Sequence, residues 1–295
     1  MSFAADVYFF SLLPAVLWGV SPTFTKRGIL RGGSSLQASV IVVTVSVFCY
    51  LGGLAVVGNL SHLSTLSPIA WLVFAGSGVA GAVAWLASFT GVDKVGASVN
   101  SAAFNVHPLF ATVVALAFLG EALSSQTILG IVILVGGLGL VAGSKGGNRD
   151  GWELRHLIFP LTASAAYAIS NVIRRFGLTT TQATTLEAIS INAVATLVVL
   201  LVYAVVTQDT GVVPKSGRAV RAFVISGLLS AFALFSLFEA FARGPVAVVS
   251  ALSGLSPVVA TLVAAAALAD VERVTRGVVG GACLVVVGAT LISLA

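Results

Sequence analysis

Ile69-Ala-Trp-Leu-Val-Phe-Ala-Gly-Ser-Gly-Val-Ala-Gly-Ala-Val-Ala-Trp-Leu-Ala-Ser-Phe-Thr-Gly91 runs for 23 residues without a charged side chain. As a helix it rises about 34 Å, enough for the roughly 30 Å hydrocarbon layer of a bilayer, where only helices and closed barrels satisfy their own backbone polar groups. The stretch is dense in Ala, Gly, Val and Leu and lacks a two-residue alternation, so it reads as a spanning helix and not as a barrel strand. Within it, Gly76-Ser-Gly78-Val-Ala-Gly81 has the spacing of a dinucleotide-binding turn. That turn needs a preceding strand, and this string sits inside an apolar run, so nucleotide binding is not implied.

Comparable runs lie on both sides of it. They predict spans over residues 7–25, 36–58, 69–91, 95–119 and 125–143, then 157–173, 186–206, 222–242, 246–268 and 277–294. The expected fold is therefore an all-α integral membrane protein with ten transmembrane helices. Composition agrees: 58% of the 295 residues are hydrophobic, 8% are charged, and mean hydropathy is +1.09, where a soluble domain carries about a quarter charged residues. Residues 147–155, within the polar, glycine-rich Lys145 to Arg155, form the expected linker between halves 1–146 and 156–295.

A shift of 149 residues lays one half on the other: Ser21 on Ser170, Gly28 on Gly177, Phe74 on Phe223, Gly78 on Gly227, Phe89 on Phe238 and Pro108 on Pro257, with Trp18 on Tyr167. Phe and Pro matches at one constant offset indicate internal duplication. Five spans per half make the second repeat inverted relative to the first, with a pseudo-two-fold axis in the membrane plane. Twelve of the 15 Lys and Arg fall after odd-numbered spans, and only Arg174, Arg175 and Arg243 fall on the other side. The positive-inside rule then places both termini outside a bacterial inner membrane. Basic residues scattered in this way serve topology, so no nucleic-acid partner is expected. Cys49 and Cys283 have no second Cys or His at ligand spacing, so neither a metal nor another cofactor is expected.

Leu17-Trp18-Gly19-Val20-Ser21-Pro22 in the first span, and Asn105-Val-His107-Pro108 running to Phe118-Leu-Gly-Glu121 in the fourth, together with ten spans in halves of five, resemble the EamA-type family of the drug/metabolite transporter superfamily. Among these the chain looks most like YddG-type amino-acid exporters. The resemblance implies a central cavity lined by spans 1, 3, 4, 6, 8 and 9, with spans 5 and 10 packing beside it. Two departures stand out: Asn171 answers Pro22, and Asp270 answers Glu121. The candidate substrate-binding residues on these spans are Trp18, Ser21, Trp85, Asn100, Ser101, Asn105, His107, Tyr167, Asn171, Phe235, Glu239 and Ser253, with Pro22, Pro108 and Pro257 as kinks or hinges.

The residues give their own reasons. Proline inside a helix removes one hydrogen bond and displaces a carbonyl, which a membrane tolerates only inside protein or beside a wet cavity. Trp18, Ser21 and Thr25; Ser101, Asn105, Pro108 and Thr112; Ser164, Tyr167, Asn171 and Arg174; and Ser250, Ser253, Pro257 and Thr261 each fall on one helical face. Turned inward, those faces build a cavity; the other reading makes the hydroxyls glue between helices. Glu187 fits a helix N-terminus and Glu239 an ion pair with Arg243. His107 fits either a carboxylate contact or proton relay, or a hydrogen-bonded core histidine. The first span has no carboxylate between Val7 and Thr25, which disfavours proton exchange for cationic drugs of the kind used by small multidrug relatives.

The function expected is a secondary transporter exporting a small metabolite, an amino acid with an aromatic or other neutral side chain foremost, with proton coupling as one energy source. Gly139 with Gly143, and Gly277 with Gly281, suit either contact between spans 5 and 10 or a weak homodimer in place of a monomer. The alternatives are another metabolite class (sugar, nucleotide derivative or drug) or a membrane-embedded enzyme. No H-E-x-x-H motif or mid-membrane aspartate pair supports the enzyme, and no repeated charge ring or filter-like loop supports a channel.

Overall fold

Hydroxyl side chains set several helix starts. Ser67, Ser124, Thr184 and Thr275 each accept a hydrogen bond from a backbone N–H three residues on. The computed structural model describes residues 5–57, 60–107, 109–110, 124–144, 146–148, 151–208, 211–243 and 252–294. These form helices α1 (Ala5–Leu30), α2 (Ser35–Val57), α3 (Pro68–Val95), α4 (Ala97–Phe104), α5 (Ser125–Gly143), α6 (Ile158–Thr180), α7 (Thr185–Val206), α8 (Gly217–Arg243), α9 (Ser256–Ala267) and α10 (Arg276–Ser293). Short 3-10 turns cover Leu60–Thr65 and Leu154–Leu157. Strands β1 (Gly147–Asn148) and β2 (Glu272–Arg273) pair antiparallel, which ties the linker to the loop before α10.

Among the described residues, α1, α2, α3, α6, α7 and α8 account for the 6 helices long and apolar enough to cross a membrane, and α5, α9 and α10 are shorter apolar helices. This is fewer than the ten full spans expected. Residues 111–123 and 244–251 lie outside the described residues, and with them Thr112, Glu121 and Ser250; Pro108, Lys145 and Arg149 lie outside as well. Two expected boundaries also move. α1 continues through Lys26 and Arg27, and α6 continues through Arg174 and Arg175 to Thr180. Charges end a span only when they reach water. Lys26 instead donates to the Asp93 carbonyl (3.0 Å), and Arg27 donates to the Ala267 carbonyl at the end of α9 (3.0 Å).

The main helix pairs keep their pattern when α1–α5 are exchanged with α6–α10. α1 packs on α8 as α6 packs on α3, and α2 packs on α8 as α7 packs on α3. A Cβ on Gly28 would collide with the ring of Phe223, and one on Gly177 with the ring of Phe74, the same contact with the halves swapped. Equivalent helices meet antiparallel. Gly53 faces Leu186 while Val40 and Val43 share a cluster with Leu200 and Ala204, so numbering rises along α2 as it falls along α7.

The glycines of α5 and α10 interlock in the same sense, Gly130 against Gly288 and Gly137 against Gly281. The equivalent glycines exchanged by this interlock, Gly130 with Gly281 and Gly137 with Gly288, are 151 apart, as are the N-caps Ser124 and Thr275, whereas Gly28 and Gly177 are 149 apart. The gapless offset therefore fails near the end of the repeat, because two extra residues precede α10. Glu272, not Asp270, then becomes the counterpart of Glu121. Of the glycine pairs singled out from sequence, Gly277 and Gly281 do meet α5, but Gly139 faces open space. Gly288→Ala is expected to destabilise by about 1–3 kcal/mol, because its methyl would lie 2.5 Å from the Leu134 nitrogen and 2.6 Å from the Gly130 carbonyl. No rotamer relieves a backbone clash. Thermal unfolding checks this, with Gly139→Ala expected to leave the midpoint unchanged.

The surface is as apolar as the interior, as a lipid-facing protein requires: Phe48 and Leu72 are about three-quarters exposed, while Ser21, Ser77, Asn192 and Ser226 are buried. One end gathers Lys26, Arg27, Lys94, Arg273 and the linker, where Asn148 donates to the Asp93 and Lys94 carbonyls. At the other end Glu187, in a capping box with Thr184, bonds His62 Nδ1 at 2.5 Å, and Arg243 pairs with Asp6. Glu187 is thus the helix-start carboxylate that its first-turn position suggests.

Candidate functional site

The polar faces of the crossing helices turn toward one cavity with about 760 Å³ of empty space. Its wall comes from α1 (Trp18, Ser21, Pro22), α3 (Gly81, Ala84, Trp85, Ser88, Phe89), α4 (Asn100, Ser101, Phe104), α6 (Tyr167, Arg174), α8 (Ser230, Leu234) and α9 (Ser256). Helices α5 and α10 contribute nothing to it, because their glycine faces are spent on each other.

Trp18 and Tyr167 meet edge to face, with ring centroids 6.2 Å apart and planes at 87°. Phe104 lies 5.2 Å from Tyr167 and extends the aromatic wall. Such pairs contribute about 0.5–1.5 kcal/mol beyond their buried area and fix ring orientation. Opposite chemistry comes from a chain of hydroxyls: Ser21 Oγ lies 2.8 Å from Ser226 Oγ and 3.0 Å from Ser230 Oγ, and Thr25 Oγ1 lies 2.9 Å from Ser226 Oγ. Ser21 therefore both glues α1 to α8 and faces the cavity.

Seven residues singled out from sequence share this wall: Trp18, Ser21, Pro22, Trp85, Asn100, Ser101 and Tyr167. Pro22 stands inside α1. Others stand behind the wall. Asn105 donates through Nδ2 to Ser256 Oγ (3.0 Å), and Asn171 Oδ1 accepts from Arg174 Nη1 (3.1 Å). His107 packs its ring 5.3 Å from Tyr167 and 6.1 Å from Phe104. Phe235 packs in an aromatic and aliphatic cluster with Phe238 and Leu237. Glu239 pairs with Arg243, the helix-end ion pair. Ser253 is half-buried, at the helical end just before the 254–255 turn that precedes α9. Pro257 opens α9 instead of kinking a continuous helix, a position where its missing N–H costs little.

Helix breaks at 105–106 and 254–255 occupy equivalent positions, 149 apart, and the Asn105 to Ser256 hydrogen bond joins them at the cavity wall. Helix α4, which leads into the first break, starts on a buried carboxylate. Glu272 accepts from the N–H of Ala97 (2.7 Å) and of Ser98 (3.2 Å) and from Ser98 Oγ (3.0 Å). Sequence reading overlooked Glu272, Gly81, Phe89, Phe104, Ser230, Leu234 and Ser256, and it counted Arg174 among the charges beyond the span although it also set it on one helical face with Tyr167 and Asn171. The face is the correct reading: Arg174 lies seven residues after Tyr167, on the same side of α6.

The EamA-like transporter family matches residues 7–143 and matches again over 154–294. The chain belongs to the EamA-like transporter family. Its two matches correspond to two repeats, one per half, which cover nearly all of the sequence. No curated protein matched it. A solved structure described only as "Crystal structure of protein" is similar over 99% of this chain and 96% of that one, with a TM-score of 0.67 at 17% identity, which speaks for a shared fold. As an EamA-like transporter it is a multi-pass membrane protein with a small-molecule substrate.

Proposed function

We propose that this EamA-like transporter exports small metabolites, amino acids with aromatic or other neutral side chains foremost, across a bacterial plasma membrane, working by alternating access between two inverted five-helix repeats that make ten transmembrane helices in all. The observation that carries the reading is the pair of equivalent helix breaks, linked by Asn105 and Ser256 beside a cavity lined from both halves. Discontinuous helices at the interface of inverted repeats form a fixed site around which the halves can rock. Antiparallel contact of α2 with α7, and of α5 with α10, is what an in-plane two-fold axis imposes on equivalent helices and supports the inversion. The wall chemistry favours a cargo with an apolar ring and hydrogen-bonding groups, since Trp18, Trp85 and Tyr167 share the wall with Ser21, Ser101 and Ser230.

The basic end would face the cytoplasm, leaving both termini outside. With Arg174 buried inside α6, the basic residues of the opposite side shrink to Arg175 and Arg243, which strengthens the asymmetry. If transport is coupled to protons, the His107 imidazole behind Tyr167 is the group placed to carry one. Proteoliposomes loaded with an unlabelled amino acid are expected to accumulate its labelled form by counterflow, with aromatic and branched side chains most active. Absence of counterflow for all twenty amino acids would overturn the substrate assignment.

A further inference from the structure

Arg174 is 5% exposed, lies within α6 and lines the cavity, yet no carboxylate among the described residues pairs with it. The described acids are committed elsewhere: Asp6 and Glu239 to Arg243, Asp93 to Lys94, Glu153 to Arg155, Glu187 to His62, and Glu272 to the start of α4. Asp270 is exposed beyond α9. Among the described residues, neutral groups alone hold the guanidinium. Nη1 donates to Asn171 Oδ1 (3.1 Å) and Nη2 to Asn192 Oδ1 (3.2 Å), and the rings of Tyr167 and Phe238 flank it at 6.0 and 5.6 Å. Its Nε is buried with no acceptor.

We propose that Arg174 is the anchor for a carboxylate on the cargo, so that the substrates are small monocarboxylates, zwitterionic amino acids included, with an apolar or aromatic body. The inference rests on the transport reading above and names the substrate class of that same cavity. A buried cation without a counter-charge is costly, and an arriving carboxylate supplies both the charge and the acceptors that the fork lacks. The two asparagines orient the fork without neutralising it, which leaves the charge for a ligand. One cation matches one carboxylate; a second acidic group would enter a wall of Trp18, Trp85, Phe89 and Leu234 with nothing to pair it. A purely structural role would ask for a carboxylate beside the guanidinium, and the described residues provide only the two amide oxygens.

The test uses the full-length protein purified in detergent, with phenylacetate, L-phenylalanine, L-phenylalaninamide and phenethylamine as probes in a thermal-shift titration. The two acids are expected to raise the unfolding midpoint, and the amide and amine to leave it unchanged. Arg174→Gln should weaken the response to the acids by about 30-fold or more, as truncation of a buried charge partner does, and Arg174→Lys should fall between. Equal responses to L-phenylalanine and its amide, or acid binding by Arg174→Gln within a few-fold of wild type, would overturn the assignment. So would a wild-type protein that responds to neither acid. If Arg174→Gln fails to fold, the comparison of acid with amide on wild type still decides. Counterflow separates the two levels. Wild type that moves amino acids while Arg174→Gln moves them unchanged overturns the Arg174 assignment alone, whereas wild type that moves no amino acid or monocarboxylate overturns the transport reading itself.

Discussion

Glu272→Ala is expected to lower the stability of the protein by about 3 kcal/mol or more and to impair transport with it. The carboxylate is 2% exposed and holds two backbone N–H groups and one hydroxyl at the start of α4. Losing an N-cap costs about 0.5–2 kcal/mol, and each buried donor left unsatisfied costs about 1–3 kcal/mol more. No neighbour can take over, because Gly96, at φ +92, brings the backbone so close that its Cβ would meet the Glu272 carboxyl carbon at 2.9 Å. Glu272→Gln keeps an acceptor of the same shape and should lose about half as much. The functional loss follows because α4 carries Asn100, Ser101 and Phe104 of the cavity wall. Thermal unfolding of the two variants should rank wild type above Glu272→Gln above Glu272→Ala. A Glu272→Ala midpoint equal to wild type would show that the capping contacts contribute nothing net.

Apolar runs, the repeat and the aromatic pair were legible because each is encoded locally or by composition. Trp18 and Tyr167 are 149 apart in sequence and 6.2 Å apart as rings, so the duplication alone pointed to their meeting. Glu272 was not legible: its partners lie about 175 residues away, and a carboxylate on a loop gives no sign of what it caps. Arg174 was misplaced because a charge was taken as the end of a span, which holds when the side chain reaches water and fails when a cavity receives it. The constant offset broke near Glu272 for a related reason. Two added residues before α10 leave every apolar run intact, so hydropathy does not register them, while the interlock of Gly130 with Gly288 and Gly137 with Gly281 does. Glycine faces were ambiguous for want of a partner: Gly139 and Gly281 look alike in sequence, and only the second has a neighbour.

Trp18→Ala should reduce transport by about 100-fold while leaving a folded, monodisperse protein. Trp18 is half-buried, lines the cavity and touches Tyr167 edge to face. Removing a large aromatic ring from a cargo's contact surface forfeits roughly 1.5–3 kcal/mol of apolar burial. The loss of its orienting contact with Tyr167 adds about 0.5–1.5 kcal/mol. Together these amount to about 3 kcal/mol, or two decades in a rate governed by cargo affinity. The fold should survive because Trp18 joins only the margin of a cluster whose buried members include Phe74, Ile189 and Phe238. Trp18→Phe keeps an edge-to-face partner for Tyr167 and should retain most of the rate for aromatic cargo. Because the repeat places Tyr167 as the counterpart of Trp18, Tyr167→Ala should produce a loss of similar size, and the double variant should lose less than the sum of the two, by the worth of the ring pair. Initial rates of counterflow in proteoliposomes, for the single and double variants, measure all of these. Strict additivity would mean that the two rings act on the cargo separately, and unchanged rates in Trp18→Ala would remove that residue from the transport path.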